Sequence, residues 1–325
     1  MKSFRITYLS DGPKNTGGYF YEIFWFNQLQ KHFANKGHTI DAKIERSEHY
    51  HSGWWQTLKW FFHLFRIAKG DLIIVPGRCA LPILLRNIFS RNKVFVVFHS
   101  MDINQLHRKK GLSVYYKIVF LLMKLHSNFF LVTIAYYWKS FFLNLTKMPL
   151  HRIHLLPNLF DFDEYKHYQT KDKQKNIHLG MWSTKQDKVI YDLASRLSHR
   201  GYYCFFTTPV DIVAMGAYGY DIIYCETQQE FKHRVATSLY TIALTSIPEG
   251  WSRVAHESFL LGTPVIGFPN AGLSELIQEG GGFIAENVQE IIEIIENRNE
   301  WELSQKFIQK FHTDKSNAFL TSIGL

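Results

Sequence analysis

The chain has 325 residues and a mass of 38.2 kDa, with 46% hydrophobic, 16% aromatic and 20% charged residues. This length exceeds what one hydrophobic core usually holds, and this apolar content excludes an intrinsically disordered chain, so we expect a folded protein of two domains. The formal net charge of +9 divides into +12 for residues 1–165 and −3 for residues 166–325, which predicts that the first half faces an anionic partner.

The first residues, MKSFRITYLSDG, lack the apolar core and cleavage site of a signal peptide and predict a strand at 4–9. The longest stretch without a charged residue, 258–274, is broken by glycines and prolines, so we expect no transmembrane helix. Three cysteines in no CxxC or Cys/His pattern are typical of a reducing compartment. These features predict a cytoplasmic protein.

Short apolar runs alternate with helix-length segments along the whole chain. Gly17 and Gly18 follow the first strand, apolar residues at helical spacing come next, and Gly37 stands where a helix would end. Further strands are predicted at 38–44, 72–75, 94–98, 129–134, 177–179, 203–207, 222–224, 241–245 and 264–267. Among the helices, two are predicted at 187–197 and 252–261. This alternation, interrupted by a lysine-rich stretch at 166–176, predicts two Rossmann-like halves with parallel sheets.

The segment 241–279, TIALTSIPEGWSRVAHESFLLGTPVIGFPNAGLSELIQE, contains the strongest chemical signal. A strand ends near Ser246 and a helix begins near Ser252, so the N–H groups of residues 252–254 offer a phosphate site at the positive end of the helix dipole. Glu249 precedes this helix and Glu257 lies in its second turn, where carboxylates can accept bonds from vicinal sugar hydroxyls. Taken alone, two glutamates eight residues apart are more typical of a solvated helix face.

The wider sequence decides between these interpretations. EGWSRVAHE followed by LGTPVIGFPNAGLSEL resembles the E-x7-E signature of retaining glycosyltransferases of the GT4 type, the type that builds bacterial polysaccharides. The glycine pair after the first strand, GHTI after the first helix, the histidine that follows the buried strand in VVFH, and HLLPNLFDFDEY occur in the same order as in that family. The resemblance spans most of the chain.

The resemblance implies an α/β fold of the GT-B class, with two Rossmann-like domains whose parallel sheets face a central cleft. It implies an acceptor-binding domain at 1–165, a nucleotide-sugar-binding domain at 166–305, and a C-terminal segment at 306–325 that returns to the first domain.

The same resemblance implies roles for individual residues. Glu257 would bind the nucleotide ribose, Glu249 would act beside the transferred sugar, and His99 would approach that sugar from the first domain. The backbone of Gly18 and of the helix start would hold the diphosphate. The expected donor segment at this helix start consists of Gly250, Trp251, Ser252, Arg253 and Val254.

The sequence departs from the family at the diphosphate clamp. The family usually places an Arg after the glycine of the second domain's first strand, whereas Met181 follows Gly180 here. Lys185 is our candidate for the catalytic cation, Lys188 is second, and Arg253 would supply part of the lost charge. Ser252 stands where a glycine is common, which affects how closely a phosphate approaches.

We expect no metal and no cofactor. Asp161-Phe162-Asp163 matches the DxD pattern that binds Mg²⁺ in other glycosyltransferases, but the resemblance assigns this segment to the interdomain crossing. The sixteen histidines form no ligand-spaced cluster.

The resemblance also implies the reaction, in which a hexose, with glucose from UDP-glucose as the best candidate, moves onto a glycan or lipid-linked saccharide with retention of anomeric configuration. Two alternatives remain open: a sugar-nucleotide epimerase or hydrolase on the same scaffold, and a non-catalytic nucleotide-sugar-binding protein.

Basic and aromatic residues mix at 54–68 and 108–125, which is typical either of interfacial membrane helices or of buried helices with basic ends. With the +12 charge of this half, we expect peripheral contact with the anionic inner membrane face, and no nucleic-acid partner.

Overall fold

The computed structural model describes residues 3–10, 17–46, 54–67, 69–183, 185–211, 219–297 and 300–325. The chain divides into two compact units. Unit 1 comprises Met1–Pro157 together with Ser316–Leu325, and unit 2 comprises Asn158–Lys315.

Unit 1 contains one six-stranded sheet in the order β2-β1-β3-β4-β5-β6, in which every pair is parallel. Its strands are β1 (Ser3–Ser10), β2 (Thr39–Arg46), β3 (Leu72–Pro76), β4 (Lys93–Phe98), β5 (Phe129–Thr133) and β6 (Ile153–Leu155). Its helices are α1 (Gly17–Asn35), α2 (Trp54–Ile67), α3 (Ala80–Asn87), α4 (Ile103–Arg108), α5 (Lys110–Leu125), α6 (Tyr136–Thr146) and, after unit 2, α14 (Ser316–Ser322).

Unit 2 repeats this architecture with a second six-stranded parallel sheet in the order β12-β11-β10-β7-β8-β9. Its strands are β7 (Asn176–Met181), β8 (Tyr203–Thr208), β9 (Asp221–Tyr224), β10 (Tyr240–Ala243), β11 (Val265–Gly267) and β12 (Phe283–Ile284). Its helices are α7 (Asp163–Lys166), α8 (Val189–His199), α9 (Gln228–Ala236), α10 (Arg253–Leu260), α11 (Ala271–Glu279), α12 (Val288–Asn297) and α13 (Gln305–Lys310).

The predicted strands are confirmed, and for the central strands the reason lies in their burial. Strands covered by helices on both faces read as continuous apolar runs, and all five residues of β3 (LIIVP) are buried. The sequence patterns missed β6 and β12, which have three and two residues and are too short to show a period. Gly37 ends α1 with φ at +78°, as its position after the helix predicts.

The unit boundaries differ from the sequence-based ones by eight to ten residues. The backbone N–H of Phe160 donates to the carbonyl of Phe311 at 2.9 Å, and Phe160 also pairs with His312 in a parallel bridge. These bonds fix the segment after residue 157 within unit 2, together with residues 305–315. The chain therefore returns to unit 1 at Ser316 rather than at residue 306.

The structural boundary sharpens the charge asymmetry. Unit 1 contains 22 Lys+Arg and 7 Asp+Glu, a net charge of +15, whereas unit 2 contains 15 and 21, a net charge of −6. The three acidic residues between positions 158 and 165 account for the change from the sequence-based division.

Within the described ranges, no helix combines the length and the hydropathy that a membrane crossing requires. The three cysteines are free thiols and all are buried. The cytoplasmic location stays a prediction.

Candidate functional site

The strand order of the unit 2 sheet reverses between the neighbouring strands β7 and β10. From β7 the chain proceeds through β8 to β9 at one edge, then crosses back to β10 and continues through β11 to β12 at the other edge. In open parallel sheets, ligands bind at the carboxyl ends of the strands where the strand order reverses. The segments that follow β7 and β10 therefore form the expected ligand site of this unit.

The segment after β10 leads directly into α10. Ser252 is the N-cap of this helix, and its hydroxyl accepts the N–H of Ala255 at 3.3 Å. The cap satisfies one N–H group at the helix start, and the N–H groups of Arg253 and Val254 lie in the same first turn. This helix end offers backbone donors and a positive dipole end to an anion.

Glu249 lies in the loop just before this helix end. Burial raises the pKa of its carboxyl, while the charge of Lys185 and a bond from the Gly250 N–H act in the opposite direction. Among the described residues, Lys185 is a cation whose charge reaches Glu249. Lys188, the other candidate, lies at the start of α8, and both lysines are exposed.

The loop that carries Lys185 is fastened to the end of β10. The Lys185 carbonyl accepts the N–H of Ser246 at 2.9 Å and the hydroxyls of Thr245 and Ser246 at 3.1 Å. Gln186 also forms a bridge with Thr245. The two segments after β7 and β10 thus form one connected rim.

Asn270, just before α11, fixes the same loop from its other side. Its side-chain amide donates to the carbonyls of Thr245 and Ile247, both at 3.1 Å, and its Oδ1 accepts the N–H of Glu249 at 2.8 Å. The N–H of Asn270 in turn donates to the hydroxyl of Ser274 at 2.5 Å. One side chain therefore sets the path of the backbone up to Glu249.

Glu257 is 4% exposed and is held by two neighbours. Its Oε1 accepts Arg253 Nε and Nη2, each at 3.0 Å, and the Tyr165 hydroxyl at 3.1 Å. Burial favours a lower pKa for Arg253, but Glu257 and Tyr165 outweigh it and the pKa is raised. Arg253 also lies over the Phe160 ring, 5.0 Å from its centroid.

These contacts change two expectations. The guanidinium of Arg253 is directed to Glu257, and the carboxylate balances its charge. Arg253 therefore does not replace the diphosphate-binding Arg that is missing after Gly180. The sequence analysis did not select Tyr165 at all, although it quoted the DFDEY segment that contains it. Burial and the Glu257 carboxylate raise the pKa of Tyr165, so its hydroxyl stays protonated and acts as the donor.

Trp251 lies in the core. Its side chain is 5% exposed, and its indole N–H donates to Nδ1 of His256 at 3.0 Å. Both rings pack against Phe311, and His256 also contacts Phe160 and Phe307. Burial lowers the pKa of His256 well below its ordinary value, so its ring is neutral and accepts the bond. The Trp251 side chain thus anchors the start of α10, and Gly250 beside it is buried as well.

Two predicted site residues belong to unit 1. Gly18 lies in the first turn of α1, and a methyl group added at its Cα would meet no atom within 4 Å. His99 follows β4 directly, and its half-buried ring stands edge-on to that of Tyr21 at 4.8 Å. The Tyr21 hydroxyl donates to the carbonyl of Leu156 at 2.9 Å, which fixes the ring that His99 contacts.

The acidic pair at 161–163 has a local role. Asp161 Oδ1 accepts the backbone N–H of Asp163 at 3.0 Å and so caps the turn into α7. Among the described residues, no group of three or more His, Cys, Asp or Glu side chains has the arrangement of a metal site. Metal independence stays a prediction.

The sequence matches no protein-family model and no curated protein sequence. Solved structures, however, match nearly its whole length. A complex of Anabaena Alr3699/HepE with UDP and glucose aligns with a TM-score of 0.64 at 14% identity, covering 98% of this chain and 94% of that one. A glycosyltransferase from Rickettsia africae aligns with a TM-score of 0.69 at 16% identity, covering 99% and 98%.

The chain has the GT-B fold. The two parallel six-stranded sheets with flanking helices are those of the matched glycosyltransferases. The same architecture occurs in the UDP-GlcNAc 2-epimerase from Methanocaldococcus jannaschii, which aligns with a TM-score of 0.60 at 12% identity, covering 98% and 99%.

Proposed function

We propose that this protein is a retaining glycosyltransferase that moves a hexose from a UDP-sugar to a glycan or lipid-linked saccharide acceptor, with UDP-glucose as the expected donor. The observation that carries the proposal is the placement of Glu249 just before the N-terminus of α10 and of Glu257 in its second turn, at the point where the strand order of the unit 2 sheet reverses. The matched Anabaena protein, which binds UDP and glucose, supports the choice of donor.

The donor diphosphate is proposed to bind the first-turn N–H groups of Arg253 and Val254, with Lys185 beside it. Glu257 accepts the ribose hydroxyls, because Arg253 and Tyr165 hold its Oε1 and thereby fix the plane of the carboxylate. Glu249 accepts hydroxyls of the transferred sugar. Gly18 and His99 of unit 1 are proposed to contact the diphosphate and the sugar.

In the proposed reaction, the bond between the anomeric carbon and the UDP oxygen breaks and the acceptor hydroxyl bonds to that carbon from the same face. The acceptor proton moves to the departing phosphate, so no protein base is required. The negative charge that develops on UDP is stabilised by the N-terminus of α10 and by Lys185, and such preorganised donors contribute several kcal/mol in a water-poor site. The reaction is proposed to need neither a metal nor a cofactor.

The net charge of +15 on unit 1 supports a phosphate-bearing acceptor, such as a lipid-linked saccharide, because a strongly basic domain concentrates anionic substrates near its surface.

A proton NMR time course tests the proposal. The purified chain is incubated separately with UDP-glucose, UDP-galactose, UDP-N-acetylglucosamine and GDP-mannose, without metal. We expect slow release of UDP and of the α-anomer of one sugar, and loss of that release in Glu249→Gln. Release of a β-anomer as the first product would contradict retention, and Asp314→Asn in unit 2 serves as a matched control.

The similarity to a UDP-GlcNAc 2-epimerase keeps a second candidate, an epimerase or hydrolase on the same scaffold. The same time course separates the two: an epimerase would convert one UDP-sugar into its epimer without any acceptor. A non-catalytic binding protein would bind UDP but release no sugar from any donor, even with lipid-linked acceptors present.

A further inference from the structure

One face of the unit 1 sheet is covered by a continuous row of helices. The chain steps in one direction from β1 to β2 and in the opposite direction from β2 through β3, β4 and β5 to β6. Because such crossovers are right-handed, α1 covers one face while α2, α3, α5 and α6 cover the other. Contacts between α2 and α3, between α3 and α5, and between α5 and α6 agree with this placement.

The middle of this row exposes apolar side chains to solvent. Val114, Ile118, Leu121 and Leu125 recur at helical spacing on α5 and are 55%, 40%, 55% and 67% exposed. Val119 and Met123, on the opposite side of α5, are buried. The helix is therefore apolar on both sides, whereas a surface helix of a globular protein needs only one apolar stripe.

The neighbouring helices extend this exposed stripe. Trp55, Leu58 and Phe62 lie on one side of α2, and Trp55 and Phe62 are each 60% exposed. Leu85 on α3 and Phe89 just beyond its end are also exposed, Phe89 almost completely. We call these nine side chains of α2, α3 with Phe89, and α5 the basic apolar face.

The charges around this face have one sign. Exposed cations accompany the apolar stripes, namely Lys59 and Arg66 on α2 and Lys110, Lys117 and Lys124 on α5. Residues 49–160 contain 15 Lys+Arg and two acidic residues, Asp71 and Asp102. Neither acid lies on these helices: Asp102 caps α4, and Asp71 accepts the N–H of Arg5.

We propose that the basic apolar face binds the surface of an anionic lipid bilayer, with the apolar stripes of α2 and α5 in the headgroup layer and the lysines at lipid phosphates. Aromatic and aliphatic side chains next to basic ones are the combination that interfacial helices present to membranes. A second copy of this chain fits poorly, because a two-fold contact would place lysines against lysines. This inference does not rest on the proposed reaction, because binding is measured without nucleotide.

The test is co-sedimentation of the full chain with phosphatidylcholine vesicles that contain or lack phosphatidylglycerol. We expect retention on the anionic vesicles alone, and weaker retention at high salt, because screening weakens surface attraction. Lys117→Ala should lower the partition coefficient about fivefold, and Ile118→Ser/Leu121→Ser at least about tenfold. Both variants should fold, because the altered side chains are exposed.

Matched controls come from outside the face. Lys31→Ala alters an exposed lysine of α1, on the other side of the unit 1 sheet, and Val210→Ser alters an exposed apolar residue of unit 2. Both should keep wild-type retention. Equal recovery in the supernatant with both kinds of vesicle, or equal losses in the controls and the face variants, would overturn the proposal. So would concentration-dependent self-association that disappears in Ile118→Ser/Leu121→Ser, since that result assigns the face to a second copy.

Discussion

Replacing Asn270 by alanine should uncouple donor binding from turnover. The side chain makes three hydrogen bonds to the backbone of the loop that ends at Glu249. Each is worth about 0.5–1.5 kcal/mol net. Because Thr245 and Ile247 are half-buried, water replaces part of what is lost, and we expect the free energy of unfolding to fall by about 2 kcal/mol.

The effect on activity should be larger than the effect on affinity. Without Asn270 the N–H of Glu249 loses its acceptor, and a displaced catalytic group costs on the order of 100-fold in rate. Among the described residues, the Asn270 side chain bonds to Thr245, Ile247 and Glu249, and not to the start of α10 or to Glu257. The dissociation constant for UDP should therefore change by less than about threefold, which is within the roughly 1 kcal/mol of one hydrogen bond.

The assay pairs calorimetric titration with UDP and the rate of sugar release from the donor that the NMR experiment identifies. Gln278→Ala, at an exposed position of the same helix α11, is the matched control and should leave both quantities unchanged. If Asn270→Ala releases sugar at the wild-type rate, or loses UDP affinity in proportion to its rate, then Asn270 does not position Glu249 and the reasoning fails.

Three further substitutions and a chelator test the remaining interactions. Tyr165→Phe removes one of the hydrogen bonds to Glu257 Oε1 and should weaken UDP binding about fivefold in titration calorimetry, with turnover at saturating donor unchanged. Gly18→Ala meets no neighbour within 4 Å, so thermal unfolding should show a gain of up to about 1 kcal/mol, while turnover falls because the methyl group crowds the diphosphate. Burial lowers the pKa of His178 to about 3, between the hydroxyls of Thr207 and Thr241, so protonation favours the unfolded chain. Between pH 6.5 and about pH 3 the unfolded state binds the extra proton, and stability should fall by about 1.4 kcal/mol per pH unit for this group as the pH is lowered. His178→Gln should make urea unfolding less steeply pH-dependent. Finally, EDTA should leave sugar release unchanged.

Each of these predictions has a result that contradicts it. Unchanged UDP affinity in Tyr165→Phe would indicate that Glu257 does not bind the ribose. Wild-type turnover in Gly18→Ala, together with the gain in stability, would indicate that Gly18 does not contact the diphosphate. Identical pH dependence of the wild type and His178→Gln would mean that His178 is not neutral in the folded state. Loss of activity in EDTA, restored by Mg²⁺, would reverse the expectation of metal independence.

Local chemistry in the sequence was sufficient to predict the architecture and the start of α10. Parallel strands that helices cover on both sides must be apolar on both faces. Runs such as LIIVP and KVFVVF can therefore be predicted as strands without knowing which strands they pair with. The Ser252 cap follows from short-range rules for helix starts, and these rules predict that Glu249 precedes α10 and that Glu257 lies in its second turn.

Contacts between distant parts of the chain could not be read in this way. The sequence around Tyr165 gives no signal of its hydrogen bond to Glu257, which lies 92 residues later. Asn270 has the pattern of an ordinary turn residue before α11, and only the structure shows that its amide bonds to the loop 245–249. The direction of the Arg253 side chain toward Glu257 depends on the local backbone and on Phe160 beneath it. Periodicity and composition determine which residues are buried and which elements form, because both depend on neighbours along the chain. Which polar atoms meet inside a site depends on how separate elements pack, and only the tertiary structure decides that.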